Sequence, residues 1–544
     1  MLQGLSMDYQ LNVGAIVRRA EALFGHKEIV TRNADKSFHR YTYADFVPRS
    51  RRLAAALRKL GLEDGDRVGT FAWNHYRHLE AYLGLPAGGL VIHTLNLRLH
   101  PDDLTYIASH GGDRALIVDK ILWPLAEKFV DRVGFEHVVV ISDDGEAPDG
   151  TIEYEQLLAS VDESELDEGD VDERAAAAMC YTSGTTGQPK GVVYSHRAIA
   201  IHTLAATMAG SLGVTEADVV LPVVPMFHAN AWGFPFQCTL TGATQVFPGP
   251  HLDPESLLET FQQERVTLTA GVPTIWMGIL QMLDAEPGKY DLSSLKGMVV
   301  GGSAAPRAMI EGYQERHGLK VIHAWGMTEM APLGSISELS SDQLQLPQEE
   351  QYAYRAKQGF PAAFVEIRAM GEGGLVPWDG ETMGELEVRG PWIASGYYND
   401  DSQAHRWSED GWFATGDIVT IEPNGYIEIQ DRSKDLVKSG GEWISTVALE
   451  NALMGHPAIA EAAVIAVPDE KWAERPMAVC VCREGQSATP EELRAFLEPQ
   501  FAKWWLPDQY EFVAEIPKTA VGKFRKTALR EQFARQPAEA PVQT

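Results

Sequence analysis

Cysteine is scarce in this chain. Its 544 residues contain four cysteines, too few for a disulfide framework. Cys480 and Cys482 alternate with valine, which places both on one face of a predicted strand, but no second pair exists to complete a zinc site. We therefore interpret the cysteines as small buried side chains in a protein of a reducing compartment, and we expect a cytoplasmic location.

Positive charge and long apolar runs are also in short supply. Lys and Arg number 46 against 76 Asp and Glu, a formal net charge of −30. This excess argues against nucleic acid or an anionic membrane surface as a partner, since both attract basic patches. The longest apolar stretch, residues 219–236, is interrupted by prolines, His228 and Asn230, which favours a pocket wall over a transmembrane segment. The N-terminus lacks the basic and apolar regions of a secretory signal.

The negative charge is distributed unevenly. Residues 143–173 contain many acids and no Lys or Arg, a pattern typical of a solvated surface loop or connector. Residues 431–544, in contrast, are nearly neutral. The net charge therefore bears on solubility and excluded partners, and we expect a phosphate site to depend on a few placed cations.

Buried strands alternate with helical patterns from about residue 40. The predicted strands include Val68–Phe71, Val138–Ile141 and Gly297–Val300, and the predicted helices include Pro254–Glu264 and Pro306–Arg316. Such alternation predicts an α/β fold with largely parallel sheets.

The pattern changes twice towards the C-terminus. From about Ala363 the strands become short and glycine-punctuated, which predicts a small β subdomain, and a new α+β pattern begins after Asp431. We therefore predict a large N-terminal domain of layered α/β subdomains plus the small β subdomain, and a smaller, mobile α+β C-terminal domain. The predicted bounds are 1–430 for the N-terminal domain, 431–434 for a hinge, 435–535 for the C-terminal domain and 536–544 for a frayed tail.

The segment Tyr181–Gly191 has the composition of a phosphate-binding loop. Its sequence, YTSGTTGQPKG, combines glycines, which allow the backbone to approach a ligand closely, with several hydroxyl side chains and Lys190. It is not a Walker A loop, because Pro189 precedes the lysine and a glycine follows it. The apolar runs on both sides argue against a flexible linker.

On these residues the chain resembles the adenylate-forming superfamily, which includes acyl-CoA synthetases, firefly-luciferase-like enzymes and the adenylation domains of peptide synthetases. The resemblance covers nearly the whole chain, because further motifs follow in the family's order. They are Gly301–Pro306, Trp325–Glu329, Gly384–Leu386, Thr415–Asp417, Asp431–Asp435 and Gly522–Lys523.

The resemblance implies a reaction in two steps. A carboxylic acid attacks the α-phosphate of ATP to give an acyl-adenylate and pyrophosphate, and the acyl group then passes to CoA. Phosphoryl chemistry depends on positioning and charge neutralisation, so Mg²⁺ is expected on Glu329 and Thr182, both also expected to be catalytic. The other expected nucleotide contacts lie in or near the motifs: Ser183, Gly184, Thr185, Thr186, Lys190, Gly302, Ser303, Ala304, His323, Ala324, Trp325, Gly326, Thr328, Asp417, Arg432, Lys434, Lys438 and Trp443.

Several of these residues have a specific expected role. Gly301–Ala305 is expected on the adenine side, with an ordinary strand-to-helix turn as an equal alternative for this motif alone. Trp325 is expected to stack on adenine. Asp417 is expected to accept hydrogen bonds from ribose hydroxyls, with Arg432 nearby, because an ionised carboxylate is purely an acceptor.

The acyl side of the site is expected in the aromatic-rich segment around His228. By the resemblance this histidine lies between the nucleotide and the acyl pocket and is expected to be catalytic; a satisfied core histidine is the alternative. The acyl pocket is expected to include Ala231, Trp232 and Gly302, and core packing is an equal alternative for Trp232.

The C-terminal region carries the second expected catalytic charge. By the resemblance, Lys523 reaches the α-phosphate and the carboxylate during adenylation, and Lys434 lies at the hinge. Gly440, Gly441 and Glu442 form the expected CoA side, which a domain rotation would bring to the site.

The resemblance implies an ATP-dependent, AMP-forming acyl-CoA synthetase, and the strings Gly440–Ser445 and Val224–His228 most resemble the branch that acts on medium- and long-chain fatty acids. The same strings also resemble ligases of short thioether acids of the methylmercaptopropionate type, which His323–Glu329 favours and which stay an alternative. The alternatives from other classes are an adenylation enzyme that serves a carrier protein and an inactive acyl- or nucleotide-binding regulator. The expected cofactors are ATP, Mg²⁺ and CoA, the expected partner is a small carboxylic acid, and a homodimer is left open.

Overall fold

A computed structural model describes residues 2, 4–166, 171–182, 188–439, 442–469, 471–518 and 524–533. The helices are α1 (Val13–Phe24), α2 (Tyr43–Lys59), α3 (Tyr76–Ala87), α4 (Pro101–Gly111), α5 (Trp123–Ala126), α6 (Val130–Val133), α7 (Tyr154–Ala159), α8 (His196–Thr207), α9 (Phe234–Thr241), α10 (Pro254–Gln263), α11 (Pro273–Ala285), α12 (Arg307–His317), α13 (Gln348–Ala356), α14 (Thr446–Met454), α15 (Pro490–Leu497) and α16 (Lys526–Phe533).

The strands begin near the N-terminus and continue into the C-terminal region. They are β1 (Glu28–Arg32), β2 (Phe38–Thr42), β3 (Arg67–Phe71), β4 (Val91–Thr94), β5 (Asp113–Asp119), β6 (His137–Ile141), β7 (Ile152–Glu153), β8 (Ala176–Tyr181), β9 (Gly191–Ser195), β10 (Val219–Pro222), β11 (Thr244–Phe247), β12 (Leu268–Gly271), β13 (Gly297–Val300), β14 (Val321–Gly326), β15 (Leu333–Ile336), β16 (Phe360–Pro361), β17 (Glu366–Gly371), β18 (Gly374–Leu375), β19 (Gly384–Arg389), β20 (Phe413–Ile421), β21 (Ile427–Arg432), β22 (Val437–Ser439), β23 (Glu442–Ile444), β24 (Ile459–Asp469), β25 (Ala473–Cys482) and β26 (Gln509–Phe512).

Local sequence explains where these elements form. Helix α2 begins after Thr42, whose backbone N–H donates to the Asp45 carboxylate at 2.9 Å in a capping box. Its Leu53 and Leu57 recur at helical spacing and are fully buried. The five strands and helices predicted above by their bounds are all present, each within one residue of the predicted limits.

Within the described residues the strands form four sheets, of which the two largest are mostly parallel. One has the order β7-β6-β5-β3-β4-β8-β9 and is parallel except for the antiparallel pair β8–β9. The other has the order β16-β15-β14-β13-β12-β10-β11-β1-β2 and is parallel from β14 to β1. The predicted α/β class with largely parallel sheets is confirmed. The phosphate-loop motif lies at the β8–β9 turn, and two further motifs lie at the carboxyl ends of β13 and β14.

The two smaller sheets follow in the chain. The order β18-β17-β19-β20-β21 forms an antiparallel sheet, the predicted small β subdomain. The last sheet, β23-β22-β25-β24 with β26 alongside β25, has helices on both faces. Leu449 of α14 and Leu493 of α15 pack on one face, whereas Leu529 and Phe533 of α16 pack on the other. This is the predicted α+β region.

The acidic stretch 143–173 is more ordered than its composition suggests. It contains β7 and the short helix α7, and Asp143 forms an ion pair of 2.8 Å with Arg77. The interpretation as a solvated loop therefore does not apply to α7, because its Tyr154 and Leu157 are buried in the main hydrophobic core.

The cysteines are free thiols, and Cys180, Cys238 and Cys480 are buried while Cys482 is half-buried. None of the helices in the described part of the chain combines the length and apolar character that a bilayer crossing needs.

Candidate active site

The base of the phosphate-loop motif is a pair of adjacent antiparallel strands. Tyr181, the last residue of β8, lies directly opposite Gly191, the first of β9. The next pair closes the turn: the Thr182 N–H donates to the Lys190 carbonyl at 2.9 Å, and the Lys190 N–H donates to the Thr182 hydroxyl at 3.1 Å. The predicted contacts within the turn lie outside the described residues: Ser183, Gly184, Thr185 and Thr186.

A cavity of about 720 Å³ opens beside this turn. It brings together most of the predicted catalytic and nucleotide residues from distant parts of the chain. The predicted residues that line it are Thr182, Lys190, His228, Trp232, Gly302, Ala324, Trp325, Gly326, Thr328, Glu329, Arg432 and Lys434.

Cations outnumber acids around this cavity, although the whole chain carries a large negative charge. The cationic side chains on its wall are Arg98, Lys190, Arg406, Arg432, Lys434, Lys518, Arg525 and Lys526, and the carboxylates are Asp103, Glu329 and Asp435. Such a local surplus creates a positive field in the cleft, which attracts a polyanion regardless of the net charge. Sequence reasoning named three of these cations and missed the others, because a lysine or arginine outside a motif looks like any solvated charge.

Glu329 is held in place by two residues that the motifs did not reveal. It lies just after β14 and is only 4% exposed. The Tyr397 hydroxyl donates to Glu329 Oε1 at 2.5 Å, and Arg406 lies 3.5 Å from the same oxygen. Arg406 also donates to the Tyr397 hydroxyl at 2.6 Å. The carboxylate is therefore fixed in orientation at the cavity wall.

The donor set at Glu329 and Thr182 fits a magnesium ion bound mainly through its ligand. In the part of the chain that the structure describes, no cluster of three or more His, Cys, Asp or Glu side chains could enclose a metal. Mg²⁺ commonly takes only one or two protein oxygens and completes its shell with phosphate oxygens and water. One fixed carboxylate and one hydroxyl on the same cavity wall meet that requirement.

Asp417, a predicted ribose contact, is positioned by two donors. It lies on β20, directly opposite Arg432 on β21. Arg432 Nε is 2.8 Å from Asp417 Oδ1, and the Trp325 indole N–H donates to Oδ2 at 3.0 Å. Asp417 is 2% exposed, and these two contacts hold both of its carboxylate oxygens in a fixed orientation.

A second cavity of about 650 Å³ adjoins the first. Gly302, Ala324 and Trp325 belong to the walls of both. The predicted nucleotide residues that line it are Gly302, Ser303, Ala304, His323, Ala324, Trp325, Gly326, Asp417 and Arg432.

His323 lies in this wall as a neutral, buried ring. Its Nδ1 is 3.0 Å from the Ala356 carbonyl, and burial lowers its pKa to about 4. Trp325 is likewise mostly buried, with its indole N–H committed to Asp417. These two residues shape the nucleotide side without supplying charge.

The segment predicted to form the acyl side contains an unusual backbone turn. Four consecutive residues other than glycine, Ala229–Trp232, have φ between 42° and 55°, the left-handed region, which costs energy at each position. The turn places the Trp232 ring against Gly301, the first residue of the Gly301–Pro306 motif. A Cβ built on Gly301 would lie 3.0 Å from that ring. Trp232 and His228 line the cavity, whereas Ala231 is fully buried in the core and is not among the lining residues.

The predicted C-terminal residues divide into two groups. Lys518 and Phe524, which are paired with each other, both line the first cavity, and Lys523 between them lies outside the described residues. Lys438 and Trp443 are opposite each other on β22 and β23 and line neither of the two cavities described here. Of the expected CoA loop, Gly440, Gly441 and the side chain of Glu442 lie outside the described residues.

Comparison with known proteins places this site in a family. A family model described as "AMP-binding enzyme" matches residues 17–398, and one described as "AMP-binding enzyme C-terminal domain" matches residues 448–523. The chain belongs to the AMP-binding enzyme family. The predicted membership of the adenylate-forming superfamily is thereby confirmed.

Relatives of this AMP-binding enzyme match over almost its whole length. A long-chain-fatty-acid–CoA ligase of Thermus thermophilus is 50% identical over 97% of this chain and 96% of its own. A 3-methylmercaptopropionyl-CoA ligase of Ruegeria lacuscaerulensis is 42% identical over 97% of this chain and 98% of its own. A solved anthranilate CoA ligase in complex with anthranoyl-AMP superimposes with a TM-score of 0.86 at 25% identity, covering 98% of this chain and 99% of that one.

The AMP-binding enzyme thus has the parts that activation of a carboxylate requires. A cation-rich cleft is suited to phosphate groups, a fixed carboxylate to a metal–phosphate complex, and an oriented aspartate to hydroxyl donors. Tyr397 and Arg406 are the supporting residues that sequence reasoning missed. No spacing in the sequence points to them, because they lie in the segment between β19 and β20 and reach Glu329 through tertiary contacts.

Proposed function

We propose that this chain is an ATP-dependent, AMP-forming acyl-CoA synthetase that activates a medium- or long-chain fatty acid. The observation that carries the proposal is the single cavity that joins Thr182, Lys190 and Glu329 to the apolar side chains of Trp232 and Leu333. The polar half suits ATP and a carboxylate, and the apolar half suits an acyl chain.

In the first step a carboxylate oxygen of the acid attacks the α-phosphorus of ATP. The new P–O bond forms as the bond to the β-phosphate oxygen breaks, which gives acyl-adenylate and pyrophosphate with no net proton transfer. Lys190 and Arg432 neutralise phosphate charge, and Asp417 orients the ribose hydroxyls. Glu329 and Thr182 would hold Mg²⁺, which supplies further charge neutralisation. Lys523, by its motif, adds a cation at the reacting carboxylate.

In the second step the CoA thiol passes its proton to solvent and its sulfur attacks the acyl carbonyl; the C–S bond forms as the bond between the acyl carbon and the AMP phosphate oxygen breaks, and AMP leaves. The residues expected on the CoA side, Gly440, Gly441 and Glu442, belong to the predicted C-terminal domain, and their described neighbours Lys438 and Trp443 line neither cavity described here. We therefore propose that this domain rotates about residues 431–434 between the steps. Lys434→Pro stiffens that hinge and is expected to slow thioester formation more than adenylation. Unchanged thioester formation would count against the rotation.

Two observations support a medium- or long-chain fatty acid as the substrate. The 50% identical relative is named for long-chain fatty acids, and the cavity has an apolar wall that includes Leu212, Val299 and Leu333. A short thioether acid is the second candidate, because the 42% identical relative is named for 3-methylmercaptopropionate.

The free thiols and the use of ATP and CoA support a cytoplasmic location.

Acid-dependent exchange of labelled pyrophosphate into ATP tests the proposed activity. We expect exchange with medium- and long-chain acids, and a loss of about a hundredfold or more in Glu329→Gln, because a fixed charge at the phosphates is removed. Glu315→Gln is the matched control, since Glu315 is an exposed residue of α12 that lines neither cavity described here. No acid-dependent exchange with any acid from propionate to palmitate would refute the proposal.

A further inference from the structure

The base of the phosphate loop carries a cluster of aromatic and histidine side chains that the proposed chemistry does not use. The Tyr181 ring lies over Gly191, its partner across β8 and β9: a Cβ built on Gly191 would come within 2.9 Å of Tyr181 Cζ. Any larger residue at position 191 would push the ring aside. The ring therefore covers the last strand pair before the loop begins.

Tyr181 is held from two sides. Its hydroxyl lies 2.6 Å from Nδ1 of His110, a residue of α4. Its ring lies 5.1 Å from the ring of His93, whose Nδ1 is 2.7 Å from Asp113 in a pair that is wholly buried. A side chain that is packed on one side and hydrogen-bonded on the other has little freedom to move.

His110 also contacts the other end of the loop, and its helix reaches the cavity. Its ring meets Tyr398 edge-on at 5.7 Å, and the Tyr398 N–H donates to the Gly191 carbonyl at 2.9 Å. Asp103, near the start of α4, lines the first cavity. Helix α4 thus extends from the cavity wall to the base of the loop.

We propose that His110 is a positioning residue for ATP binding: through its hydrogen bond to Tyr181 it sets the orientation of Thr182 and Lys190, the pair next to Tyr181 and Gly191. The inference rests on the proposed function, which assigns this loop to ATP. In the part of the chain that the structure describes, His110 lines neither cavity, so it acts through Tyr181. The two hydrogen bonds between Thr182 and Lys190 come directly after the Tyr181–Gly191 pair. A shift of Tyr181 would therefore displace both Thr182 and Lys190.

The test uses variants that separate the hydrogen bond from the packing. Tyr181→Phe keeps the ring over Gly191 and removes only the hydroxyl. His110→Ala removes its partner, and His110→Asn restores a polar amide near the position of Nδ1. The full-length protein is titrated with ATP and Mg²⁺ in a calorimeter without acid, and KM values for the acid and CoA and the midpoint of thermal unfolding are measured alongside.

We expect the Kd for ATP to rise about tenfold, or about 1.4 kcal/mol, in Tyr181→Phe and in His110→Ala, and no further in the double variant. His110→Asn should recover most of the affinity. The KM values for the acid and CoA should stay at the wild-type level. His251→Ala is the matched control, since His251 is a half-buried histidine whose Nε2 lies 2.9 Å from the Asn33 carbonyl, and it lines neither cavity described here.

Wild-type affinity in both Tyr181→Phe and His110→Ala would overturn the inference and leave the proposed function intact. A loss of affinity that follows a fall in thermal stability, and that His110→Asn does not restore, would show a purely structural role and would also overturn it. A wild-type protein that binds no ATP would overturn the inference and the proposed function together.

Discussion

Lys526 and Glu450 form an ion pair of 2.7 Å in which the two side chains are only 11% and 9% exposed. Lys526 begins α16, three residues after Lys523, and Glu450 lies on α14. Lys526 also donates to the Thr446 hydroxyl, and the Thr446 N–H donates to Asp431 at 2.9 Å. This chain of contacts connects the end of β21, at the proposed hinge, with the helix that follows the proposed catalytic lysine.

Breaking this pair should destabilise the C-terminal region. Glu450→Gln removes the carboxylate that lies 2.7 Å from the buried Lys526 ammonium, which costs about 3 kcal/mol or more. The double variant Glu450→Gln with Lys526→Met removes the buried charge and should recover much of that loss. Hydrogen exchange at the amides of α14 and α16 measures the effect, and a double variant as unstable as the single one would contradict it.

The acid stability of the protein should depend on His202. This residue of α8 is 2% exposed, its Nε2 accepts the Leu333 N–H at 3.2 Å, and burial lowers its pKa from 6.5 to about 4. Below pH 6.5 the unfolded chain binds a proton that the folded chain does not. The free energy of unfolding therefore falls as the pH decreases from 6.5 to 4, by on the order of 3 kcal/mol for this group.

The matched variant is His202→Gln, whose amide oxygen can accept the same N–H but does not titrate. Urea unfolding at pH 7 and pH 5 should show a smaller difference in stability for this variant than for wild type. Equal differences would mean that His202 does not contribute to the acid sensitivity.

Nucleotide affinity should depend on the donors that orient Asp417. Trp325→Phe keeps an aromatic ring in the wall but removes the indole N–H that is 3.0 Å from Asp417. The loss of one hydrogen bond to a charged group is worth about 1.5–3 kcal/mol, so we expect the Kd for ATP to rise about tenfold or more. Affinity for the acid should be unaffected. Trp378→Phe, at an exposed tryptophan outside both cavities described here, is the control.

Lys523 should matter in one half-reaction and not in the other. Lys523→Ala removes the cation assigned to the carboxylate and α-phosphate, so adenylation should fall by about a hundredfold or more. Thioester formation from supplied acyl-adenylate should be largely retained. Lys503→Ala, at an exposed lysine of the same domain, should leave both steps unchanged, and an equal loss of both steps in Lys523→Ala would show that its role is misassigned.

The sequence alone predicted the features that depend on local pattern. Buried runs such as Gly297–Val300 have a period and length that specify a strand, and the phosphate-loop motif specifies its own chemistry. The proximity of Asp417 and Arg432 could also be predicted, since both lie in motifs of one family; in the structure they occupy adjacent strands. These predictions needed no knowledge of how distant segments pack.

The rest depended on tertiary packing. Tyr397 and Arg406 hold Glu329 from the segment between β19 and β20, and no spacing in the sequence encodes that contact. The left-handed turn at Ala229–Trp232 contains no glycine, so the residue types give no sign of it. That turn is why Trp232 faces the cavity while Ala231, its neighbour in the same predicted pocket, is buried in the core.

The proposed reaction converts an acid, ATP and CoA into acyl-CoA, AMP and pyrophosphate at one active site. The most direct measurement is the kcat/KM of CoA-dependent AMP release for straight-chain acids from propionate to palmitate, with 3-methylmercaptopropionate included. We expect AMP and acyl-CoA to form in equal amounts and kcat/KM to be highest for a medium- or long-chain acid. The absence of AMP release with every acid would contradict the proposed activity, and a maximum at 3-methylmercaptopropionate would contradict the proposed substrate.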